Sequence, residues 1–151
     1  MSCPIRFGES AMSQFNEWLA PFAADARLIE DGHELLFVLT TKLASALNDG
    51  SSREKVGGIL KELIEGMKTH FEIEDEIMER TKYPDSTGHA ARHREILGRL
   101  GEIDKHLAAG QEIRNEEVSS FLRDDLMNHL LDEDRKYAKH ISEIMEKLAL
   151  L

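Results

Sequence analysis

Apolar residues recur with helical spacing in four long segments, and the apolar face of every segment carries histidine. Helices bury their apolar faces against one another, so four such segments are expected to form one bundle with these histidines inside. The inward-facing histidines are His33 in the first segment, His70 in the second, His89 and His93 in the third, and His129 in the fourth. Glu74 lies one helical turn after His70 and shares its face.

Residues that break or cap helices divide the chain. The predicted helices are Asp25–Asn48, Arg53–Thr81, Gly88–Ala109 and Asn115–Leu148. Gly50 is expected to stop the first helix, and Ser51 or Ser52 to cap the second. Pro84 cannot continue a helix. Because short connections make successive helices antiparallel, the predicted fold is all-α, an up-down-up-down four-helix bundle.

The domain organisation follows from length and periodicity. A chain of 151 residues suits a single domain with one core. Residues 1–24 are less periodic and are expected to form an N-terminal arm, with Trp18 and Phe22 packing on the bundle. Residues 25–148 are expected to form the bundle itself.

Composition excludes several classes of protein. The formal net charge of -10 argues against nucleic acid and anionic membranes as partners. No apolar run approaches the roughly 20 residues of a membrane span, and the first residues do not resemble a signal peptide. Cys3 is the only cysteine, so no internal disulfide forms and a reducing, cytoplasmic location is expected.

A single buried histidine is often a core imidazole that hydrogen-bonds to backbone or solvent. Burying five at one level without partners would cost on the order of 1–3 kcal/mol for each group. A bound metal removes this cost because it uses the nitrogen lone pairs, so the pattern predicts a metal site. His106 is turned away from the His93 face, and His140 lies about 16 Å beyond His129 along the helix; neither is assigned to the site.

The number of donors indicates two metals. Five imidazoles and at least two carboxylates exceed the four ligands that zinc prefers. Two six-coordinate metals offer about twelve positions, and imidazole with carboxylate suits iron, with manganese as an alternative. The imidazoles would fill five positions, two bridging carboxylates four and a bridging oxygen two, which leaves one position open for a small ligand.

The ordered motifs resemble the hemerythrin family. The family pattern has histidine on the first helix, H-x-x-x-E on the second, H-x-x-x-H on the third and H-x-x-x-x-D on the fourth. The matching residues here are His33, His70 with Glu74 in "HFEIED", His89 with His93 in "HAARH", and His129 with Asp134 in "HLLDED". The resemblance covers roughly Trp18 to Ile141 and is strong as a set, although each motif alone is weak.

The resemblance implies a cofactor of two non-haem iron ions with a bridging oxo or hydroxo group. One iron would be held by His89, His93 and His129, and the other, with the open position, by His33 and His70. Glu74 and Asp134 would bridge the two irons. The implied ligand is O2, with peroxide or NO as alternatives.

The second bridging carboxylate is ambiguous from spacing alone. On a regular helix Glu133, at i+4 from His129, is better placed than Asp134, which is rotated by about 140°. The family uses the aspartate at i+5, so Asp134 is predicted as the ligand. A local π-helical widening would bring that position inward.

Leu36, Phe71 and Leu126 are predicted walls of the ligand pocket, with ordinary core packing as the alternative for each. Asp125 stands four residues before His129, where the family often has tryptophan, and Gly66 four before His70, where tyrosine is common. If the two share a layer, the pocket is wetter than usual, and bound oxygen is lost faster. The alternative is that Asp125 turns outward towards a cation.

Three functions are compatible with these residues. The leading one is an O2-binding carrier, store or sensor. The second is a di-iron peroxidase or oxidase, with Asp125 as its acid or base. The third is a regulatory module that reports its redox state to a signalling partner or a fused domain.

Overall fold

The computed structural model of the protein describes residue 29 and residues 31–149, apart from the side chains at 133, 134, 138, 148 and 149. Four helices, and no strand, lie in this part of the chain. They are α1 (31–48), α2 (Arg53–Arg80), α3 (Ser86–Ala108) and α4 (115–149). The predicted up-down-up-down four-helix bundle is confirmed. The predicted arm, 1–24, lies outside the described residues.

The helix ends follow from local chemistry. Gly50 closes α1 in the left-handed conformation, at φ 65°, which costs glycine little. Ser52 caps α2, and its hydroxyl accepts a hydrogen bond from the backbone N–H of Lys55 at 3.2 Å. Helix α3 begins at Ser86, two residues before its predicted start, and the carboxylate of Asp85 lies beside Gly88 in the first turn. Negative charge at a helix N-terminus is favourable, so Asp85 supports the earlier start.

Helix α4 is continuous but irregular. It contains two π-helical segments, in which the backbone hydrogen bonds reach one residue further than in an α-helix. Its segments are α-helical Asn115–Ser120, π-helical Phe121–Met127, π-helical His129–Glu133 and α-helical Asp134–Ala149. The widening expected after His129 is therefore present in the backbone.

Among the described residues, the core consists of two apolar clusters with a polar layer between them. The large cluster includes Leu36, Leu63, Met67, Phe71, Leu100, Leu122 and Leu126, and the small cluster is Ile29, Ile77, Met78, Tyr137 and Ile141. Along α2, His70 and Glu74 follow Met67 of the large cluster and precede Ile77 of the small one. Apolar side chains thus cover the polar layer from both ends. Every helix in the described residues is too short or too polar to cross a bilayer.

Candidate metal centre

Each helix contributes to the polar layer from its buried face. Helix α2 provides His70 and Glu74, which project together because they are four residues apart. The other ligating side chains in the layer are His33 from α1, His89 and His93 from α3, and His129 from α4. The structure therefore brings together all five predicted histidines and one of the two predicted carboxylates.

Glu74 stands at the centre, and its two oxygens face different histidines. Oε2 lies 2.8 Å from Nε2 of His70 and 3.8 Å from Nε2 of His33. Oε1 lies 3.3 Å from Nε2 of His93 and 3.4 Å from Nε2 of His89. One carboxylate thus joins two sets of imidazoles, which is the arrangement of a bridging ligand.

The imidazoles fall into two groups, each able to hold one metal ion. In the three-histidine half, the ring centroids of His89, His93 and His129 lie 4.5–4.8 Å apart. In the two-histidine half, the rings of His33 and His70 lie 4.7 Å apart. Ligand atoms of each half, including one from Glu74, lie within 4.8 Å of one another. The donor set is therefore that of two adjacent metal sites that share Glu74.

The electrostatics keep Glu74 ionised. Burial alone raises the pKa of this fully enclosed carboxyl, but the imidazoles of His33, His70 and His93 outweigh it and hold the pKa well below its usual range. At neutral pH the group is thus a carboxylate, the form that binds metals.

Several donor atoms in the layer have no ordinary hydrogen bond. Within the described part of the chain, both oxygens of Glu74 and Nε2 of His70 and of His93 are buried without a partner of hydrogen-bond geometry. Such atoms cost about 1–3 kcal/mol each unless something binds them. A pair of metal ions would take up these lone pairs, so the residues fit the predicted centre.

On the outer side of the cluster, the sequence analysis missed the contacts of Asp75 and Met78 with the histidines of α3. Nδ1 of His93 lies 2.7 Å from Oδ1 of Asp75, and Nδ1 of His89 lies 2.8 Å from Sδ of Met78. Phe71 stacks on His93, with the ring centroids 3.8 Å apart and the planes within 4°. The only sequence signal for Asp75 was its place directly after Glu74, next to the face that meets α3.

The predicted pocket residues divide into two groups. Leu36, Phe71 and Leu126 are buried in the large cluster. Asp125, in contrast, is exposed, so its predicted place in a wet layer is wrong, and it turns outward. Gly66 faces α1, since a Cβ there would lie 3.3 Å from Cδ2 of Leu36. Leucine, not a carboxylate, occupies the space beside Gly66.

The two histidines that were not assigned to the site lie outside the cluster, and the two carboxylates considered on α4 cannot be placed. His106 is exposed, and His140 is half-buried with Nε2 3.0 Å from the carbonyl oxygen of Thr81. The side chains of Glu133 and Asp134 lie outside the described residues. The backbone from His129 to Glu133 is π-helical, so the local widening that the prediction of Asp134 requires is present.

Gly32 allows the two-histidine half to form, because α1 and the ring of His70 come unusually close there. A Cβ at Gly32 would overlap with Nδ1 of His70 and lie 3.1 Å from its Cε1. We expect Gly32→Ala to displace His70 and reduce metal binding to the two-histidine half, as metal analysis of the purified variant would show.

The matched control is Gly58→Ala on α2, where a Cβ meets nothing within 4 Å. This control should keep its metal and gain about 0.5–1 kcal/mol of stability from better helix propensity. Equal metal contents in the two variants would show that the contact at Gly32 is unimportant.

The fold and donor set together define a four-helix metalloprotein with a shared-carboxylate site for two metals. A family model, the Hemerythrin HHE cation binding domain, matches residues 25–141. The chain belongs to the hemerythrin family. The family binds a non-haem di-iron centre, and the buried histidine and glutamate cluster is suited to it.

Individual relatives agree with this assignment. A bacteriohemerythrin of Methylococcus capsulatus is 29% identical over 123 residues, covering 82% of this chain and 93% of that protein. A bacteriohemerythrin of Campylobacter jejuni is 27% identical over 120 residues, covering 80% and 90%. A crystal structure of wild-type hemerythrin superposes with a TM-score of 0.70 at 29% identity, covering 82% of this chain and 95% of that one.

Proposed function

We propose that this protein binds O2 reversibly at a di-iron centre and acts as an oxygen carrier, store or sensor. The observation that carries the proposal is the division of the five imidazoles into a three-histidine and a two-histidine half around one carboxylate. When bound, the iron pair supplies an open coordination position and the electrons that reversible O2 binding requires. The smaller half has fewer protein donors, so we assign the open position to it.

The proposed ligands follow the two halves. His89, His93 and His129 would hold one iron, and His33 and His70 would hold the other. Glu74, whose two oxygens face the two sets of histidines, would be the ligand that the two irons share. Asp134 is proposed as the second bridging carboxylate, supported by the π-helical register and by membership of the family.

Apolar side chains protect the site from water in this proposal. Phe71 covers one face of His93 and meets the ring of His129 edge-on at 5.7 Å. Leu36 and Leu126 are fully buried in the same cluster. Excluding water would keep protons and solutes away from the ligand position. This would favour release of O2 over loss of peroxide, which leaves the centre diferric.

The experiment that tests the function is reversible oxygenation. The iron-loaded protein is reduced without air, exposed to air, and then purged with argon while the visible spectrum is followed. A charge-transfer band that appears with O2 and fades on purging is expected. A prompt change to the diferric spectrum that purging cannot reverse would contradict reversible binding and favour a redox sensor or a peroxide-handling enzyme.

The pocket can be tested with a buried and an exposed variant. Leu126→Ala removes a fully buried side chain, and Asp125→Ala trims an exposed one. We expect Leu126→Ala to lower stability by about 2–5 kcal/mol and to speed conversion to the diferric form, because a cavity opens in the cluster. Asp125→Ala should behave as wild type. Slower oxidation in Asp125→Ala would restore the wet-layer hypothesis, because the carboxylate would then be what makes the pocket wet.

The enzyme alternative is weaker because its acid–base candidate, Asp125, is on the surface.

We place the protein in the reducing cytoplasm, on the basis of the single cysteine, Cys3.

A further inference from the structure

We infer that Asp75 is a positioning residue for the three-histidine half, and that it does so by accepting a hydrogen bond from Nδ1 of His93. This inference rests on the proposed function, since it concerns a proposed iron ligand. Asp75 is not one of the proposed metal ligands, and it acts only through the imidazole.

The geometry indicates which nitrogen of the neutral ring carries the proton. Nδ1 of His93 lies 2.7 Å from Oδ1 of Asp75, a normal length for a charge-assisted hydrogen bond. A carboxylate only accepts, so the proton must be on Nδ1. In the neutral ring the lone pair is then on Nε2, which lies 3.3 Å from Oε1 of Glu74 and faces the centre. Asp75 thus selects the tautomer that can bind metal.

The ring is also held in place from a second direction. Phe71 is stacked parallel to His93 at 3.8 Å, and the His93 side chain is 2% exposed. Stacking restricts tilting of the ring, and the hydrogen bond restricts its rotation. Together they position Nε2 before any metal arrives, which lowers the cost of ordering the ligand on binding.

The two histidines of α3 differ in this respect. His89 presents its Nδ1 to Sδ of Met78 at 2.8 Å, and a thioether is an uncharged, weak acceptor. His93 instead presents its Nδ1 to an anion. Negative charge behind an imidazole makes it a stronger donor and stabilises the ferric over the ferrous state. Asp75 should therefore lower the reduction potential of the centre as well as strengthen binding.

Two substitutions separate the positioning effect of the Asp75 side chain from the effect of its charge. Asp75→Asn keeps an acceptor oxygen but removes the charge, whereas Asp75→Ala removes both. Glu76→Ala is the matched control, because Glu76 is the next residue on α2 and is exposed. The Asp75 side chain is itself 37% exposed, so the variants are expected to fold, and circular dichroism checks this.

The first readout is the nitrogen-15 NMR spectrum of His93 in the metal-free protein, recorded at a pH high enough for the imidazole to be neutral, where it reports the tautomer directly. The second is the affinity for Co²⁺, measured in competition with a chelator. We expect an Nδ1-protonated His93 in wild type, Glu76→Ala and Asp75→Asn, and a mixture of tautomers in Asp75→Ala. Cobalt affinity should fall 10–100-fold in Asp75→Ala and much less in Asp75→Asn.

The third readout is the reduction potential of the iron-loaded protein, which should rise in both Asp75 variants and stay unchanged in Glu76→Ala. The inference is overturned if Asp75→Ala matches Glu76→Ala in tautomer and affinity, or if asparagine fails to restore the tautomer. These results are distinguishable from failure of the proposed function, because the tautomer and the cobalt affinity do not depend on O2.

Discussion

A Glu74→Ala variant will retain neither metal, although it lacks only one of the ligands of each half. Both oxygens of Glu74 are used, one towards His70 and His33 and the other towards His93 and His89. Removing the carboxylate also leaves closely packed imidazoles without the negative charge that balances two cations. We expect the iron content to fall from two per chain to well below one, measured by elemental analysis after gel filtration.

Two control variants test whether the loss of iron is specific to the shared carboxylate of Glu74. Glu76→Ala removes an exposed carboxylate two residues away and should keep the full iron content. His70→Ala removes a ligand of the two-histidine half alone and should keep about one iron per chain. One tightly held iron in Glu74→Ala would show that the halves bind independently and that Glu74 does not bridge them.

Removal of the metals should produce the second large effect, a loss of thermal stability. The metals bind only where folding brings the four helices together, so their binding free energy adds to the stability of the folded state. At a free metal concentration a thousandfold above Kd, each site contributes about 4 kcal/mol. For a chain of this size, this corresponds to a Tm lower by about 8–16 °C for each site emptied.

Scanning calorimetry of iron-loaded and chelated protein measures this difference. Re-addition of Fe²⁺ under anaerobic conditions should restore the Tm, and Glu74→Ala should show no change on chelation or re-addition. An unchanged Tm after complete removal of iron from the wild type would contradict the prediction, because it would show that bound iron does not stabilise the folded protein.

Much of the fold and the site was predictable because both depend on periodicity. Four apolar faces at helical spacing predict a bundle, and histidines on those faces must converge wherever the faces meet. His70 and Glu74, four residues apart on α2, could be placed on one face without knowing any other helix. The N-cap at Ser52 and the stop at Gly50 are likewise local properties of the chain.

Asp125 shows where periodicity fails. On a regular α-helix it would lie one turn before His129, on the same face. The segment Phe121–Met127 is π-helical, so the spacing of a regular α-helix does not hold there, and the structure buries Leu126 and exposes Asp125. Local sequence alone does not mark where a helix widens, since the widening depends on what packs around it.

Asp75 was missed, and the neighbour of Gly66 was predicted wrongly, for a different reason. The role of Asp75 depends on how α3 packs against α2, and the neighbour of Gly66 depends on how α1 packs against α2. Contacts between helices depend on how closely two helices approach and on how each is rotated about its axis. The sequence pattern within one helix does not determine either quantity.

The unequal number of imidazoles in the two halves should allow two different metals to be loaded in sequence. Three histidines serve one half and two serve the other, so the first equivalent of a divalent metal should enter the three-histidine half and the second the two-histidine half. Titration with one equivalent of Zn²⁺ followed by one of Fe²⁺ should then yield a heterometallic protein. A single spectroscopically active iron, next to a silent zinc, would isolate the properties of the half that we assign to ligand binding.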